Sequence, residues 1–348
     1  MRCAIVGSGL AALASYATLR RRGIAAEEIV VFGVDEDPTT AWRARAAAIR
    51  QQRMRSESDG HLAPASFPGL AVREAAHRAS IGPVLASVAN RYHPSVGEFL
   101  SHADEVRVRS GWPKSFVPRR VERIRAVDHG FELDGDGPFA HVLVATGHPG
   151  LARVPDTVHA YEPHDYAPKV AVIGAGMAAA TEWQNALAAG SEVVSIRRRE
   201  PLHRPLSMPR EYFSKRGLAG YHRLAAAERV ARLRDLSRPS YPASFEPRSE
   251  RFEARQIDSE GIDLREFQVI AATGFLKGYQ HDPLLADLVS AHNLETHDGW
   301  IVLRPDSTVP GLPHTLSLAG IAGQWAFPPA DTIAGAKYAA HAFSCRTR

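Results

Sequence analysis

The chain has 348 residues and a formal net charge of +4, with 45% hydrophobic and 23% charged residues. This balance is ordinary for a soluble globular protein, and the length predicts about two domains with a sizeable core. No apolar run approaches the roughly 18 to 20 residues that cross a bilayer, and the arginines form no stripe interleaved with aromatic residues. We therefore expect neither a membrane nor a nucleic acid as a partner.

Cysteine and histidine usage argues against two further kinds of site. Cys3 and Cys345 are the only cysteines, and without a C-x-x-C motif the sequence offers no redox-active dithiol. The 16 histidines form no group with metal-ligand spacing, so we expect no metal. The sparse cysteines favour a cytoplasmic, reduced location. Because the first predicted strand starts at residue 3, we expect no room for a targeting peptide before it.

The amino-terminal stretch has the order strand, glycine turn, helix. Residues 3–6 are apolar, Gly7 to Ala12 read G-x-G-x-x-A, and a helical pattern follows. In this context Gly7 permits a tight turn, Gly9 lets a pyrophosphate approach the backbone, and Ala12 lets helix and strand pack closely. The amides and the dipole of the helix start would then face the phosphates. The alternative is an ordinary glycine turn at a strand end.

The next segments contain candidates for further phosphate and ribose contacts. Residues 29–32 read as the second strand, and Asp35, which follows it slightly late, is either a ligand of ribose hydroxyls or a simple turn residue. Residues 42–70 include a long polar loop, which is uncommon inside a compact fold and often functional. Arg53 or Arg55 would lie near a phosphate if this loop covers a cofactor; the alternative is a solvated charged loop.

Alternation and turn signals predict a β-meander inserted into the first half. A helix is predicted over residues 94–103, with Ser95 as its cap, and a half-buried strand over residues 105–109. The other strands of this region are predicted at residues 120–124, 130–133 and 141–147.

The second half repeats the opening pattern. A strand at residues 169–173 runs into Gly174-Ala175-Gly176-Met177-Ala178-Ala179, again G-x-G-x-x-A before a helix. Two such motifs, each between a strand and a helix, are far less expected by chance than one. The next strand ends in Arg197-Arg198-Arg199 rather than in an acid, which suits the 2′-phosphate of NADPH and not NADH. The alternative is an exposed basic turn.

The carboxyl-terminal part is predicted to close both halves. Residues 201–250 read as a surface excursion with a helical segment at 218–236. Residues 264–271 form the predicted closing strand, followed by Ala272-Thr273-Gly274-Phe275. A last helix is predicted from about Asp331, with that residue or the next as its cap and its start facing the cofactor.

These motifs resemble those of the two-dinucleotide-binding-domain flavoproteins, most closely the flavin-containing monooxygenase-like branch. The likeness rests on the two glycine turns, on V-L-V-A-T-G at residues 142–147 and on I-A-A-T-G-F at residues 270–275. It implies an α/β fold with two Rossmann-like dinucleotide-binding domains, the NADPH domain inserted into a discontinuous FAD domain that carries the β-meander. The implied FAD domain comprises residues 1–165 and 276–348, and the NADPH domain residues 166–275.

The resemblance also implies where each cofactor binds. FAD would lie on Gly7, Gly9 and Ala12, with its adenine near Val121. NADPH would lie on Gly174, Gly176 and Ala179, with Arg197 and Arg198 on its phosphate. The other candidate cofactor-binding residues are Asp35, Arg53, Arg55, Thr146, Gly147, Thr273, Gly274 and Gly320.

The chain also departs from this family. Gly320 is followed by Ile321 where disulfide-reductase relatives have aspartate, and this absence favours the monooxygenase-like branch. The F-x-G-x-x-x-H-x-x-x-W fingerprint of Baeyer–Villiger and N-oxygenating members is not intact, and the asparagine that many members place over the flavin is not evident. Glu57, His61 and His159 are the candidate catalytic side chains at the flavin face. Their alternatives are an arginine pair, a surface position and a linker contact, respectively.

The function that this resemblance favours is an NADPH-dependent FAD monooxygenase. It would oxygenate a small nitrogen- or sulfur-bearing or carbonyl substrate through a C4a-hydroperoxyflavin, with the protein supplying position and electrostatics. One alternative is an NADPH-dependent flavin reductase that passes electrons to a quinone, a carrier protein or a substrate without oxygen insertion. Another is a flavin-holding binding or sensor protein, or a non-redox flavoenzyme. The expected partners are a small-molecule substrate and a second copy of the chain in a homodimer.

Overall fold

The computed structural model describes residues 2–55, 70–89, 91–204, 207–256 and 263–341. The strands of its first sheet are β1 (Cys3–Val6), β2 (Ile29–Gly33), β3 (Phe116–Pro118), β7 (His141–Val144) and β17 (Thr315–Leu318). They are all parallel, in the order β17-β7-β1-β2-β3. Because β17 comes from the end of the chain and pairs with β7, the first half is discontinuous in sequence.

The second sheet is also parallel and belongs to the inserted half. Its strands are β8 (Val158–His159), β9 (Lys169–Ile173), β10 (Glu192–Arg197), β13 (Phe252–Gln256) and β14 (Gln268–Ala271). Their order is β13-β10-β9-β14-β8. Since β8 pairs with β14, residues 158–159 already belong to the second sheet, ahead of the predicted domain boundary at residue 166.

Helices cover the two sheets because their apolar faces need burial. Helix α1 (Leu10–Arg21) buries a continuous run from Ala12 to Leu19, and α7 (Met177–Ala188) buries Trp183 and its alanines against the second sheet. The other helices are α2 (Thr40–Ala48), α3 (Leu70–His77), α4 (Gly82–Val88), α5 (Val96–Ser110), α6 (Trp112–Ser115), α8 (Lys215–His222), α9 (Ala226–Leu236) and α10 (Pro283–His292).

A three-stranded antiparallel β-meander leads into β7, as the turn signals predicted. It consists of β4 (Ile124–Val127), β5 (Gly130–Leu133) and β6 (Asp136–Phe139). A separate antiparallel pair is formed by β15 (Thr296–His297) and β16 (Trp300–Ile301). The predicted first strand at residues 120–124 was placed about four residues too early. Phe131 and Phe139 of the meander are buried in the same cluster as Val142 of β7, so this sheet extends the first core.

The predicted strand at residues 105–109 was wrong, because α5 continues through it to Ser110. The alternating charges of this segment form helical pairs instead, including Arg109 with Glu105 at 3.0 Å. Ser95 caps the helix as predicted, accepting a hydrogen bond from the Glu98 amide at 3.2 Å. Gly111, at φ +82°, ends it in the left-handed conformation that favours glycine.

Two predicted elements near the carboxyl terminus are also corrected. The closing strand of the second sheet is shorter than residues 264–271, since β14 begins at Gln268 after a 3₁₀ turn. The helix predicted from Asp331 is not formed there. A 3₁₀ turn at Pro328–Asp331 is followed by further turns, and the Gly335 amide donates to the Thr332 hydroxyl at 3.0 Å.

The excursion between β10 and β13 packs back onto the first half. Its short strands β11 (Leu202–His203) and β12 (Ser240–Tyr241) pair with each other, and α8 and α9 lie between them in the sequence. Tyr221 and Leu233 from its helices are buried with Leu285 and Trp325 of the first half. The Tyr221 hydroxyl donates to the Trp325 carbonyl at 3.2 Å. The excursion therefore connects the two halves instead of projecting from the surface.

A buried charged cluster holds the linker between the halves. The Glu182 carboxylate on α7 is fully buried and accepts from His164 Nε2 at 3.0 Å and from the Tyr166 hydroxyl at 2.8 Å. His164 Nδ1 lies 2.7 Å from the Glu162 carbonyl. Both ring nitrogens thus face acceptors, an arrangement that favours the doubly protonated ring. The hydrogen bond to Glu182 is the main reason that the pKa of His164 is raised.

Candidate functional site

The predicted cofactor-binding residues of the first half meet at the carboxyl edge of the first sheet. In register, Val6 lies beside Phe32 and Val144, and Val144 lies beside Leu318. The segments that follow these strands therefore converge, as expected where a parallel sheet binds a nucleotide. They carry the predicted residues Gly7, Asp35, Thr146 and Gly320.

The first glycine turn is shaped by the strand that crosses behind it. Gly7 has φ +111°, and a Cβ there would lie 2.2 Å from the Ala145 carbonyl oxygen. By contrast, a Cβ on Gly9 would meet nothing within 4 Å. The first intrahelical bond of α1 runs from Leu13 N–H to the Gly9 carbonyl, so the amides of residues 10–12 have no partner within the helix and can donate to a ligand. Gly7 thus serves the fold, whereas Gly9 keeps open the space that a diphosphate needs.

The second glycine turn has the same construction. Gly174 has φ +141°, and its Cβ would lie 2.5 Å from the Ala272 carbonyl oxygen, while Gly176 again faces open space. Ala180 N–H donates to the Gly176 carbonyl at 3.0 Å, which matches the bond made by Leu13. Ala12 and Ala179 are both fully buried, as close packing of helix on strand requires. The two turns are therefore equivalent backbone cradles at the edges of two sheets.

A loop with the sequence A-T-G is the second feature that both halves share; the first A-T-G loop is residues 145–147 and the second is residues 272–274. Gly147 and Gly274 have nearly the same φ, +79° and +78°. The Thr146 hydroxyl donates to Asp282 at 2.6 Å, and the Thr273 hydroxyl donates to the Ala152 carbonyl. Each threonine therefore anchors its loop beside its own cradle.

Asp282 is a site residue that the sequence analysis missed. Its carboxylate caps α10 through the Leu284 and Leu285 amides and also accepts from Thr146. The aspartate directly before Pro283 is a helix-start signal that could have located the cap. The contact with Thr146 is tertiary and has no signal in the sequence.

A cleft opens between the first A-T-G loop and the segment that follows the second one. Its cavity volume is about 40 Å³. Its walls include Gly147, Lys277, Asp282, Trp300 and Gln324. Ile321 also lines it and adds an apolar side chain to the wall.

Other predicted FAD contacts lie near the first cradle. Gly320 has φ +63°, and a Cβ there would lie 3.2 Å from Ala11 Cβ, so its loop packs on the first turn of α1. Asp35 is exposed, and its amide donates to the Ser8 hydroxyl at 3.4 Å. The strand before it ends in Gly33 because a Cβ there would lie 2.2 Å from Ser8 Cβ. Val121, the predicted adenine neighbour, is buried in the core under the meander.

The three arginines after β10 differ in environment. Arg197 has a side chain only 5% exposed and donates to Glu246 at 3.0 Å and to the Ser195 hydroxyl at 3.0 Å. Its guanidinium also lies 4.8 Å from the Trp183 ring centroid. Arg198 and Arg199 are exposed. The guanidinium of Arg197 is thus engaged within the protein, and the neighbouring arginines present the accessible charge.

Arg53 and Arg55 likewise have partners within the protein. Arg53 donates to the His93 carbonyl at 3.0 Å from an exposed position. Arg55 donates to the Ser240 carbonyl at 2.7 Å and to the Arg204 carbonyl at 2.6 Å. Arg55 therefore joins the first half to the excursion, a role that the phosphate prediction did not include.

Of the three candidate catalytic side chains, His159 is the one the structure describes. It is buried, its Nε2 lies 3.2 Å from the Gly274 carbonyl, and its Nδ1 accepts from the Tyr161 amide at 3.1 Å. The Nε2 contact therefore joins the linker to the second A-T-G loop, while the Nδ1 contact lies within the linker itself. Burial is the main reason that the pKa of His159 is lowered. Glu57 and His61 lie outside the described residues.

The described residues contain neither a metal-binding group nor a membrane-spanning helix. No group of three or more histidine, cysteine, aspartate or glutamate side chains in this part of the chain is arranged to hold a metal ion. Among the same residues, no helix combines the length and the apolar character that a membrane span requires.

The chain matches no protein-family model, and no curated protein is significantly similar to it in sequence. Solved structures do match it along their whole length. An ornithine N-hydroxylase from Kutzneria sp. 744, solved with reduced FAD, NADP⁺ and L-ornithine, has a TM-score of 0.70 at 14% identity, covering 99% of both chains. The FAD-bound cadaverine monooxygenase of the desferrioxamine pathway from Erwinia amylovora has a TM-score of 0.71 at 12% identity, covering 99% of this chain and 94% of its own.

A third match has a different activity. The bacillithiol disulfide reductase from Bacillus cereus has a TM-score of 0.60 at 16% identity, with 99% of each chain covered. The chain has the fold of the two-dinucleotide-binding-domain flavoproteins. This confirms the predicted α/β fold with two Rossmann-like halves, and at these identities the likeness concerns the fold alone.

Proposed function

We propose that this protein is an FAD- and NADPH-dependent monooxygenase that oxygenates a small nitrogen- or sulfur-bearing or carbonyl substrate. The observation that carries the proposal is the repeated cradle. In each half, one glycine is required by the backbone behind it, and the next glycine leaves the approach to a helix start open. Two such cradles in one chain fit two dinucleotides that exchange electrons. The cytoplasmic location and the homodimer stay predictions.

In this proposal the first cradle holds FAD and the second holds NADPH. The amides at the start of α1 would bind the FAD diphosphate, with Gly320 and Thr146 near the rest of the cofactor. The amides at the start of α7 would bind the NADPH diphosphate in the same way. Bound flavin supplies the hydride acceptance and the oxygen chemistry. The protein positions both cofactors and supplies an apolar cleft wall through Ile321 and Trp300.

Thiol chemistry has little support in the described residues. Cys3 is buried in β1, and burial is the main reason that its thiol pKa is raised to about 11. A thiol with so high a pKa is a poor nucleophile at neutral pH. Cys345 lies outside the described residues, and the sequence has no third cysteine. This favours a monooxygenase over a reductase that exchanges disulfides through a cysteine pair.

The test is to load the purified protein with FAD, add NADPH without oxygen, and then admit oxygen. We expect the flavin absorbance to be bleached by NADPH and restored by oxygen, and an oxygenated product to form only when oxygen is present. A flavin that NADPH leaves oxidised would contradict the proposal. Turnover with an electron acceptor at full rate without oxygen would favour a reductase instead.

Arg198 should carry much of the preference for NADPH over NADH. It is exposed after β10, while Arg197 is already paired with Glu246. We expect Arg198→Gln to raise the KM for NADPH by about tenfold, because one charged hydrogen bond to the 2′-phosphate is lost. The KM for NADH in the same variant is the control and should not change. Equal changes in both KM values would argue against phosphate recognition by Arg198.

A further inference from the structure

The second sheet has a long outer edge, which is formed by β13. This strand stands at the end of the sheet, and within the described part of the chain it pairs with β10 alone. Glu253 and Ala254 are exposed there. An edge strand presents N–H and C=O groups that can pair with another chain, and natural proteins usually protect such edges. How β13 is protected therefore decides whether it can serve as an interface.

The other three edges of the two large sheets are protected, as far as the described residues show. The edge strand β8 has only the two residues Val158 and His159, and β3 has three residues and ends in Pro118. The edge of β17 is covered by the segment before it, since the Val309 amide donates to the Leu316 carbonyl at 2.9 Å. By contrast, β13 spans five residues without proline or glycine. It is thus the edge best suited to accept another strand.

The backbone of β13 directs the polar groups of Ala254 away from the sheet. The Val193 amide of β10 donates to the Arg251 carbonyl at 2.8 Å. Because the bonding groups alternate along a strand of a parallel ladder, the N–H and C=O groups of Glu253 and Arg255 also face β10. The N–H and C=O of Ala254 consequently point to the outer edge, where no described residue pairs with them.

The side chains on either side of Ala254 carry opposite charges. Glu253 and Arg255 lie on the same face of the strand and pair with each other at 2.7 Å, with side chains 54% and 33% exposed. Phe252 lies on the other face, where its ring centroid is 5.3 Å from that of Trp183 on α7. An edge with charges of one sign would repel a second copy of itself. This edge instead places an acid and a base symmetrically about Ala254.

A twofold axis at Ala254 would bring complementary groups of two copies together. Two β13 strands related in this way run antiparallel, and the two alanines exchange both of their N–H···O=C bonds. Glu253 then lies opposite the partner's Arg255, and Arg255 lies opposite the partner's Glu253. Opposite charges directly across an antiparallel pair are stabilising. The edge is therefore complementary to itself in both charge and hydrogen bonding.

We propose that β13 is the interface of a homodimer, in which the second sheets of two copies join edge to edge through antiparallel pairing centred on Ala254. The partner is a second copy of this chain because the order of charges along β13 matches its own reverse. This inference goes beyond the proposed function and does not depend on it, since the interface uses neither cofactor cradle.

Sedimentation velocity of the FAD-loaded protein over a range of concentrations tests the interface. We expect the parent to form a dimer. Glu253→Arg would place arginines opposite each other, and Arg255→Glu would do the same with glutamates. Each variant should therefore raise the dissociation constant of the dimer by about tenfold or more. The double variant Glu253→Arg/Arg255→Glu restores opposite charges and should recover the dimer. Ala254→Pro removes the central N–H and should also weaken the dimer.

Arg234→Glu is the matched control for the charge reversals. Arg234 makes the same kind of exposed ion pair, with Asp298 at 2.6 Å, on a helix that packs against the first half. This variant should dimerise like the parent. The proposal is overturned if the parent is a monomer at every concentration, or if either single reversal dimerises as tightly as the parent. It is also overturned if the double variant dimerises no better than the single ones.

Discussion

Replacing Gly9 by alanine should give a folded protein that no longer retains FAD. A Cβ at this position meets nothing within 4 Å in the protein, so the new methyl group enters the open space where we propose that the FAD diphosphate binds. We expect FAD affinity to fall by at least about tenfold. The free energy of unfolding should fall by less than about 1 kcal/mol, the ordinary cost of alanine at a helix N-cap. Flavin content after gel filtration and urea unfolding measure the two effects.

Two matched variants show whether the loss is specific. Gly7→Ala should destabilise the protein itself by about 2 kcal/mol or more, because φ is +111° and the Cβ meets the Ala145 carbonyl at 2.2 Å. Gly176→Ala should keep FAD and lose NADPH affinity, since Gly176 has the same open surroundings in the second cradle. If Gly9→Ala retained FAD at the parent's affinity, the assignment of the first cradle would be wrong.

Removing the Glu182 carboxylate should produce the largest loss of stability among these variants. Glu182→Ala would leave the His164 ring, whose side chain is only 4% exposed, without its charged partner. Breaking a buried ion pair in this way costs about 3 to 5 kcal/mol. Urea unfolding measures the loss. The control is Glu266→Gln, which breaks an exposed pair with Lys169 in the same half and should leave stability unchanged.

The pair of Glu182 and His164 also predicts that the free energy of unfolding depends on pH. The pKa of His164 is raised in the folded protein. Its contribution to the free energy of unfolding is therefore fully present below the unfolded-state pKa of about 6.5. That contribution is lost as the pH rises through the folded-state pKa. The stability difference between the parent and His164→Gln should therefore shrink from pH 6 towards pH 9. A difference that stays constant over this range would show that His164 is not protonated in the fold.

Local patterns in the sequence were enough to predict both cradles. Each G-x-G-x-x-A motif stands between an apolar strand and a helix, and the structure places Gly9 and Gly176 in equivalent open positions. The β-meander was also predictable, because alternation and turn residues act between neighbours in the chain. The strand prediction at residues 105–109 was wrong because it also relied on local alternation alone. The period of this segment suited a strand, but its charged residues pair at helical spacing within α5.

The sequence by itself thus determined the parallel α/β architecture, the two glycine-turn cradles and the loops that follow the strands. Only the tertiary structure decided which arginines are available to a ligand. Arg197 is paired with Glu246, 49 residues away, and Arg55 donates to Ser240, 185 residues away. The physical reason is that a cradle is built from backbone geometry that local residues set, whereas the partner of a charged side chain depends on which distant segments pack beside it.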